Sequence, residues 1–352
     1  MINKTKPFFD ETEIKLVQEA LDSGWVTRGP QVAELERLVR EFTGAPYCLA
    51  VASATSALHL ALLALEIGPG DEVIIPAFSW VATANVVEMV GATPIFCDIT
   101  SDYNIDVELI EDLITDKTKA IMPVHLFGLA ADMVPIMKLA KKHHLKIIED
   151  AACGLGTKYD GIHVGLDGEI GCISLHPAKT ITTGEGGLIL TKSKRLYDLM
   201  HKLHDHGTPD YDMVAYNYRL SDIQGAVGVG QMAKLDMILR ERKNLAERYN
   251  DALKGPLVPS FSNHTYQSYI VWVKDRDKVS AQLEERGIMA KRGTLNVAML
   301  PFYRDKYKIT SGDYPITAMA DQCTLTLPLY VGMRPEDQQK VIKELNEILK
   351  SD

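Results

Sequence analysis

The sequence lacks paired cysteines. Its five (Cys48, Cys97, Cys153, Cys172 and Cys323) are scattered, odd in number and nowhere spaced as CxxC. A disulfide framework and a zinc knuckle are therefore unsupported, and the ordinary role left is that of small apolar fillers. Long basic runs are missing too, and 38 Lys and Arg against 47 Asp and Glu give a net charge of -9. That balance argues against nucleic acid as the main partner. No apolar stretch resembles a bilayer span, and the N-terminal "MINKTKPFFDETEI" has no apolar signal region, so the expectation is a cytoplasmic protein without a membrane partner. Internal repeats, low-complexity tracts and disordered linkers are also lacking.

What is present is enough chain, 352 residues at 46% hydrophobic, to bury a sizeable core in two domains or in one large domain with a smaller lobe. Up to about residue 240, short β-rich runs ("EVIIP", "TPIFCD", "KAIMPVH", "KIIED", "GCISL", "GLILT") alternate with helix-length segments such as "ATSALHLALLALEIG" and "DMVPIMKLAKKHH". Strands alternating with helices predict βαβ units and a mainly parallel sheet, whose ligands collect at the carboxyl ends of its strands. After residue 240 the texture changes. "YQSYIVWVKD" reads as a strand, "DKVSAQLEERG" as a helix ended by Gly287, and "PEDQQKVIKELNEILKSD" as a terminal helix. Pro335 suits the first turn of that helix, with Val341, Ile342, Leu345, Ile348 and Leu349 as its apolar stripe. The expected division is a domain of residues 1–240 and a small α+β domain of residues 241–352, joined by a helix within "LDMILRERKNLAERYNDAL".

The chemically informative stretch is "SLHPAKTITTGEGG", Ser174 to Gly187. A phosphate loop has its glycines before the Lys-Ser/Thr pair, whereas here Lys179 comes first, so a nucleotide-binding loop is the wrong reading. A lysine amine can instead form a Schiff base with an aldehyde cofactor. Pyridoxal 5'-phosphate (PLP) needs an acid for its pyridinium nitrogen, an anion nest for its phosphate and a face to hold its ring. Asp150 ends "KIIED"; Ser53, Thr55 and Ser56 precede an apolar helix whose start would suit a phosphate; Trp80 follows "IIPAFS". Each residue alone has an ordinary reading. Lys179 could be a solvated lysine, Asp150 a helix cap and Trp80 a core residue. Ser53, Thr55 and Ser56 could be caps, Ser174 a sheet-end residue and Asn217 a turn residue. His125 and His176 could be satisfied structural histidines, Cys153 a filler, and "KLAKKHHLK" a solvated helix end.

Taken in order, "GWVTRGPQVAELE", "SATSALHLAL", "GDEVIIPAFSWVATAN", "GATPIFCDI", "PVHLFG", "IIEDAACGLG", "HPAKTITTGEGG", "NYRLSDIQGAVG" and "LTLPLY" resemble the DegT/DnrJ/EryC1/StrS family of PLP-dependent sugar aminotransferases nearly end to end. The resemblance implies a fold-type-I (aspartate aminotransferase-like) α/β protein, with a large α/β/α domain around a mainly parallel sheet and a small C-terminal α+β domain. It implies Lys179 as the Schiff-base lysine, Asp150 at the pyridinium nitrogen and Trp80 stacked on the ring. Thr55, Ser56 and Ser174 fall at phosphate contacts, and Asn217 at a position that reaches the phosphate across a homodimer interface. No metal is implied. The chain departs from the family pattern at Ala54, where Gly is frequent, and at Cys153, where Gln or His often lies near the ring hydroxyl. The stretch "RGTLNVAML" also lacks histidines that many relatives carry.

The implied activity moves an amino group from an amino acid, glutamate, to a nucleotide-linked keto sugar of the 4-keto-6-deoxy type, for surface polysaccharide or other amino-sugar synthesis. A 3-keto sugar or a cyclitol ketone is the alternative acceptor. A related PLP sugar dehydratase would carry histidine in place of Lys179, and a non-catalytic PLP-binding regulator or scaffold is disfavoured by the full set of site residues.

Overall fold

The apolar runs of the first half become strands buried on both faces, which is why they read as continuous rather than alternating. The computed structural model describes residues 1–253 and 262–350; Ser351 and Asp352, at the end of the expected terminal helix, lie outside the described residues. The main sheet has seven strands: β1 Tyr47–Val51, β2 Glu72–Pro76, β3 Thr93–Cys97, β4 Thr118–Ile121, β5 Lys146–Asp150, β6 Ile170–Ser174 and β7 Gly187–Thr191. Their order across the sheet is β1-β7-β6-β5-β4-β2-β3. Neighbours from β6 to β3 run parallel, and β7 is antiparallel to both β6 and β1. With β7 alone reversed, the carboxyl ends of β1, β2, β5 and β6 and the start of β7 share one edge. Register there is tight: Asp150 pairs with Cys172, and Gly187 with both Ser174 and Val51.

The two-residue period of the strands divides the core. Ile74, Ile121, Ile147, Ile173 and Leu188 face the side covered by helices Pro30–Thr43 and Met133–His143. Val73, Ala120, Ile148, Cys172 and Ile189 face the side covered by Ala54–Ala64, Val81–Met89 and Lys194–His204. The result is an α/β/α sandwich. Two of the connections carry no helix. β5 and β6 are joined by a loop with a small hairpin, Lys158–Tyr159 against Ile162–His163, and β6 and β7 by the lysine loop itself.

The C-terminal part builds a three-stranded antiparallel sheet, with Thr324–Leu327 between Tyr269–Trp272 and Lys291–Arg292. Helices Arg276–Glu285 and Pro335–Lys350 cover it through Val279, Leu283, Val341, Leu345 and Ile348. Gly287 stops the first of these at a left-handed φ of +78°. Leu349, expected in the terminal helix's apolar stripe, is exposed, because it falls on the flank of the face set by Leu345 and Ile348. Helix Leu235–Ala252 places Leu235 and Ile238 in the main core and Leu245 and Tyr249 in the lobe's core. The lobe also takes in the chain's first residues. The Ile2 amide donates to Gly287 O at 2.7 Å, and the Met289 amide donates back to Ile2 O at 2.9 Å. Among the described residues no helix is long and apolar enough to cross a membrane.

Candidate active site

A cleft of about 400 Å³ opens at the shared strand edge, between the main sheet and the C-terminal lobe. Its lining brings together Lys179, Asp150, Trp80, Thr55 and Ser174, along with Ser53, Cys153 and His176. Ser56 lies just behind, its hydroxyl 2.9 Å from Ser53 Oγ and its amide donating to that oxygen. Asn217 lies outside this cleft and is exposed.

The local fold explains why Lys179 precedes threonines and glycines. After β6 the chain turns sharply: the His176 amide donates to Ser174 Oγ, and the Lys179 amide to His176 O. The threonines then close the loop, with Thr182 Oγ1 donating to Leu175 O at 2.7 Å and Thr183 Oγ1 to Glu185 O at 2.6 Å. Gly184 supplies a left-handed φ of +84°. Gly187 has a different purpose: a Cβ there would sit 2.4 Å from Ser53 C and 2.6 Å from Ala54 N, so only glycine lets β7 begin against the first turn of helix Ala54–Ala64. That turn, capped by Ser53, presents a helix N-terminus, a natural receptor for an anion.

Asp150 is 4% exposed at the end of β5. Thr83 Oγ1 donates to its Oδ2 at 2.8 Å and the Ala152 amide to its Oδ1 at 3.1 Å. Because Thr83 gives its only hydroxyl proton to the carboxylate, Ser79, 2.8 Å away, must donate to Thr83. Burial pushes the Asp150 carboxyl above its ordinary value, and the Thr83 and Ala152 hydrogen bonds and the Lys179 charge offset this only in part. A buried carboxylate in that state favours a cationic N–H as its partner. The half-buried Lys179 Nζ donates to Cys153 Sγ at 3.1 Å, so this thiol faces the lysine amine in the cleft rather than simply filling space. Trp80, 61% exposed, forms the rim.

His125 is settled as structural. Its Nδ1 accepts from the Ala131 amide, so Nε2 carries the proton and donates to Glu149 at 2.9 Å in a fully buried pair. Burial pushes Glu149 up, but His125 and the Gly168 and Gly165 amides outweigh that and hold it below the ordinary carboxylate range. His176 is a turn residue on the cleft wall, its Nδ1 accepting from the Ala178 amide.

Several residues in or just behind the cleft are not singled out by the sequence. Thr83 sits one helical turn beyond Trp80 and could have been found by that spacing. Phe127 lines the cleft at a left-handed φ of +59°, inside the quoted "PVHLFG". Lys4, Gln267, Ser268 and Thr294 arrive through long-range packing and left no local signal.

The residues fit PLP: an amine, a buried carboxylate facing the same cleft, hydroxyls at a helix start and a backbone cradle that a Cβ at Gly187 would fill. Fold and site together define a PLP-dependent fold-type-I aminotransferase. The chain belongs to the DegT/DnrJ/EryC1/StrS aminotransferase family, whose model matches residues 7–346, and within it is a sugar aminotransferase. The UDP-4-amino-4-deoxy-L-arabinose–oxoglutarate aminotransferase of Shewanella sediminis (strain HAW-EB3) is 35% identical, over 98% of this chain and 97% of that protein. Among solved structures, Spr1654 from Streptococcus pneumoniae in its PMP form superposes with a TM-score of 0.93 at 29% identity, covering 98% of each chain. Helicobacter pylori PseC, an aminotransferase involved in the biosynthesis of pseudoaminic acid, superposes with a TM-score of 0.94 at 27% identity, covering 100% of each chain.

Proposed function

We propose that this enzyme moves an amino group from glutamate to the ketone of a nucleotide-linked 4-keto sugar, of the 4-keto-6-deoxy type. The observation that carries the reading is the meeting of Lys179, Asp150 and the Ser53–Thr55 helix start in one cleft. The Shewanella relative supports the carbon-4 position and the glutamate donor: its name specifies a UDP sugar with nitrogen at carbon 4, and oxoglutarate, the acid left when glutamate gives up its amine; that sugar is a pentose and does not bear on the 6-deoxy part.

Bound PLP supplies an aldehyde for the amine and an electron sink for the charge that develops at the donor's Cα. The protein does the rest. Lys179 would hold the cofactor through its amine, and its free Nζ would be the group that takes the donor's Cα proton and gives it back, as base and then acid. Cys153 Sγ receives the freed amine and keeps it in the cleft. Asp150, aimed by Thr83, would keep the ring nitrogen protonated. Ser53, Thr55, Ser56 and Ser174 would receive the phosphate, and Trp80, at the rim, would cover the ring. Donor and acceptor use one cleft in turn, so the kinetics are ping-pong.

We also propose a homodimer with shared sites, in which Asn217 serves the partner's phosphate. Its exposure outside its own cleft supports this, as do the exposed apolar side chains Trp25, Val26, Tyr211 and Val214. The substrate reading is tested by giving the pyridoxamine form a panel of UDP- and dTDP-linked 3-keto and 4-keto sugars, pentose and 6-deoxyhexose, and a cyclitol ketone. Amination of the 4-keto-6-deoxy hexoses is expected; turnover only of a 3-keto sugar, a cyclitol ketone or the pentose contradicts it.

A further inference from the structure

The cleft has a second cation that the mechanism above does not use. Lys4 enters the lining from the N-terminal segment, whose backbone is fixed to the C-terminal lobe: Lys4 O accepts from the Leu329 amide at 3.1 Å. Its side chain is half-buried, and among the described residues its ammonium has no hydrogen-bond or ion-pair partner. Burial and the charge of Lys179 both lower its pKa, which puts the two amines within each other's field. Lys4 also borders a smaller cavity with Ala178, Gln267 and Ser268, locating it on the lobe side of the lysine loop. Apart from Lys179, no other lysine and no arginine lines the cleft among the described residues. A partly desolvated, unpaired ammonium is unfavourable unless a ligand supplies its counter-charge.

We propose that Lys4 binds the carboxylate of the amino-acid donor and so selects the donor over the neutral keto end of the acceptor. This rests on the transamination reading of the same cleft. A donor's α-carboxylate is bonded to the carbon that bears the reacting amine, so it must lie close to Lys179 when that amine displaces the lysine. The anionic groups of a nucleotide sugar are several bonds from its ketone. A cation beside Lys179 therefore meets the donor's charge and not the acceptor's. The phosphate-receiving helix start, Ser53 to Thr55, is a separate wall of the cleft and needs no lysine.

The test uses PLP-loaded wild type, Lys4→Gln, Lys4→Met and Lys4→Arg, each first checked for cofactor content and melting temperature. α-Methylglutamate has no Cα–H to lose, so the change it causes in the cofactor's visible spectrum reads binding alone. Lys4→Gln and Lys4→Met are expected to raise its dissociation constant about tenfold or more, as for loss of a hydrogen bond to a charged group, and Lys4→Arg to restore most of it. Binding of UDP and dTDP, measured calorimetrically, is expected to be unchanged. Unchanged α-methylglutamate binding in both neutral variants overturns the inference, as does an equal loss of nucleotide binding, which would make Lys4 a phosphate reader. If wild type itself gives no spectral response to glutamate or its analogue, the transamination reading fails instead.

Discussion

Asp150 is held in an environment that only its ligand completes. In the unfolded chain the carboxyl titrates near its ordinary 3.8, whereas burial raises it in the folded protein. Below both values it is protonated in both states and contributes nothing. As pH rises through the unfolded and then the folded value, the native state must bury a charge, and stability is lost. Asp150→Asn is therefore expected to melt higher than wild type when cofactor-free at pH 8, with the difference vanishing below pH 3.8. With PLP bound the order is expected to reverse, because in the proposed site only the aspartate can pair with a protonated ring nitrogen. Thermal melts with and without cofactor check this; a variant less stable in both forms contradicts it. The same variant should depress both half-reactions while staying folded. Lysine identity gives the second test at this scale. Borohydride reduction is expected to fix the cofactor to Lys179, and Lys179→Ala to bind PLP without transamination. A reduced adduct mapped by mass spectrometry to another lysine refutes the assignment. These residues were legible because each ends an apolar run or sits in a distinctive motif. Lys4 was not, since an N-terminal lysine carries no local mark of the cleft it reaches through the lobe.

Among the elements, the strands were readable because burial on both faces leaves little but Val, Ile, Leu and small residues in them. "KAIMPVH" overran: the regular strand ends at Ile121, and past Pro123, which has no amide to donate, only an isolated bridge pairs Val124 with Asp150. The reversal of β7 was not readable, because a strand buried on both faces looks alike in either direction. That reversal brings Gly187 to the carboxyl edge, where its missing Cβ leaves room for the Ser53–Ala54 backbone at the proposed phosphate site. Gly187→Ala must separate β7 from the Ser53–Ala54 backbone, so it is expected to cost about 1–3 kcal/mol of stability and to weaken PLP binding. Denaturant melts and cofactor titration measure both. If the variant keeps wild-type stability and affinity, the close contact at Gly187 does not shape the site.

For the whole molecule, the α/β/α layering followed from the alternation of strands and helices. The N-terminal return to the C-terminal lobe did not, because Ile2 and Gly287 meet across nearly the full chain. The shared-site proposal also belongs at this scale. Mixing Lys179→Ala with an Asn217→Asp variant that is itself severely impaired gives heterodimers with one site carrying both lesions and one carrying neither. Activity should return on subunit exchange; verified exchange without recovery, or an active monomer in sedimentation, contradicts a site shared between subunits. The central claim, that Lys179 drives transamination in this cleft, is tested most directly by adding glutamate to the PLP-loaded enzyme with no acceptor. Wild type should lose its yellow colour and release 2-oxoglutarate in a single turnover, one molecule per site, while Lys179→Ala does neither. A wild-type enzyme that stays yellow and forms no oxo acid, or a Lys179→Ala variant that matches it, would contradict the account.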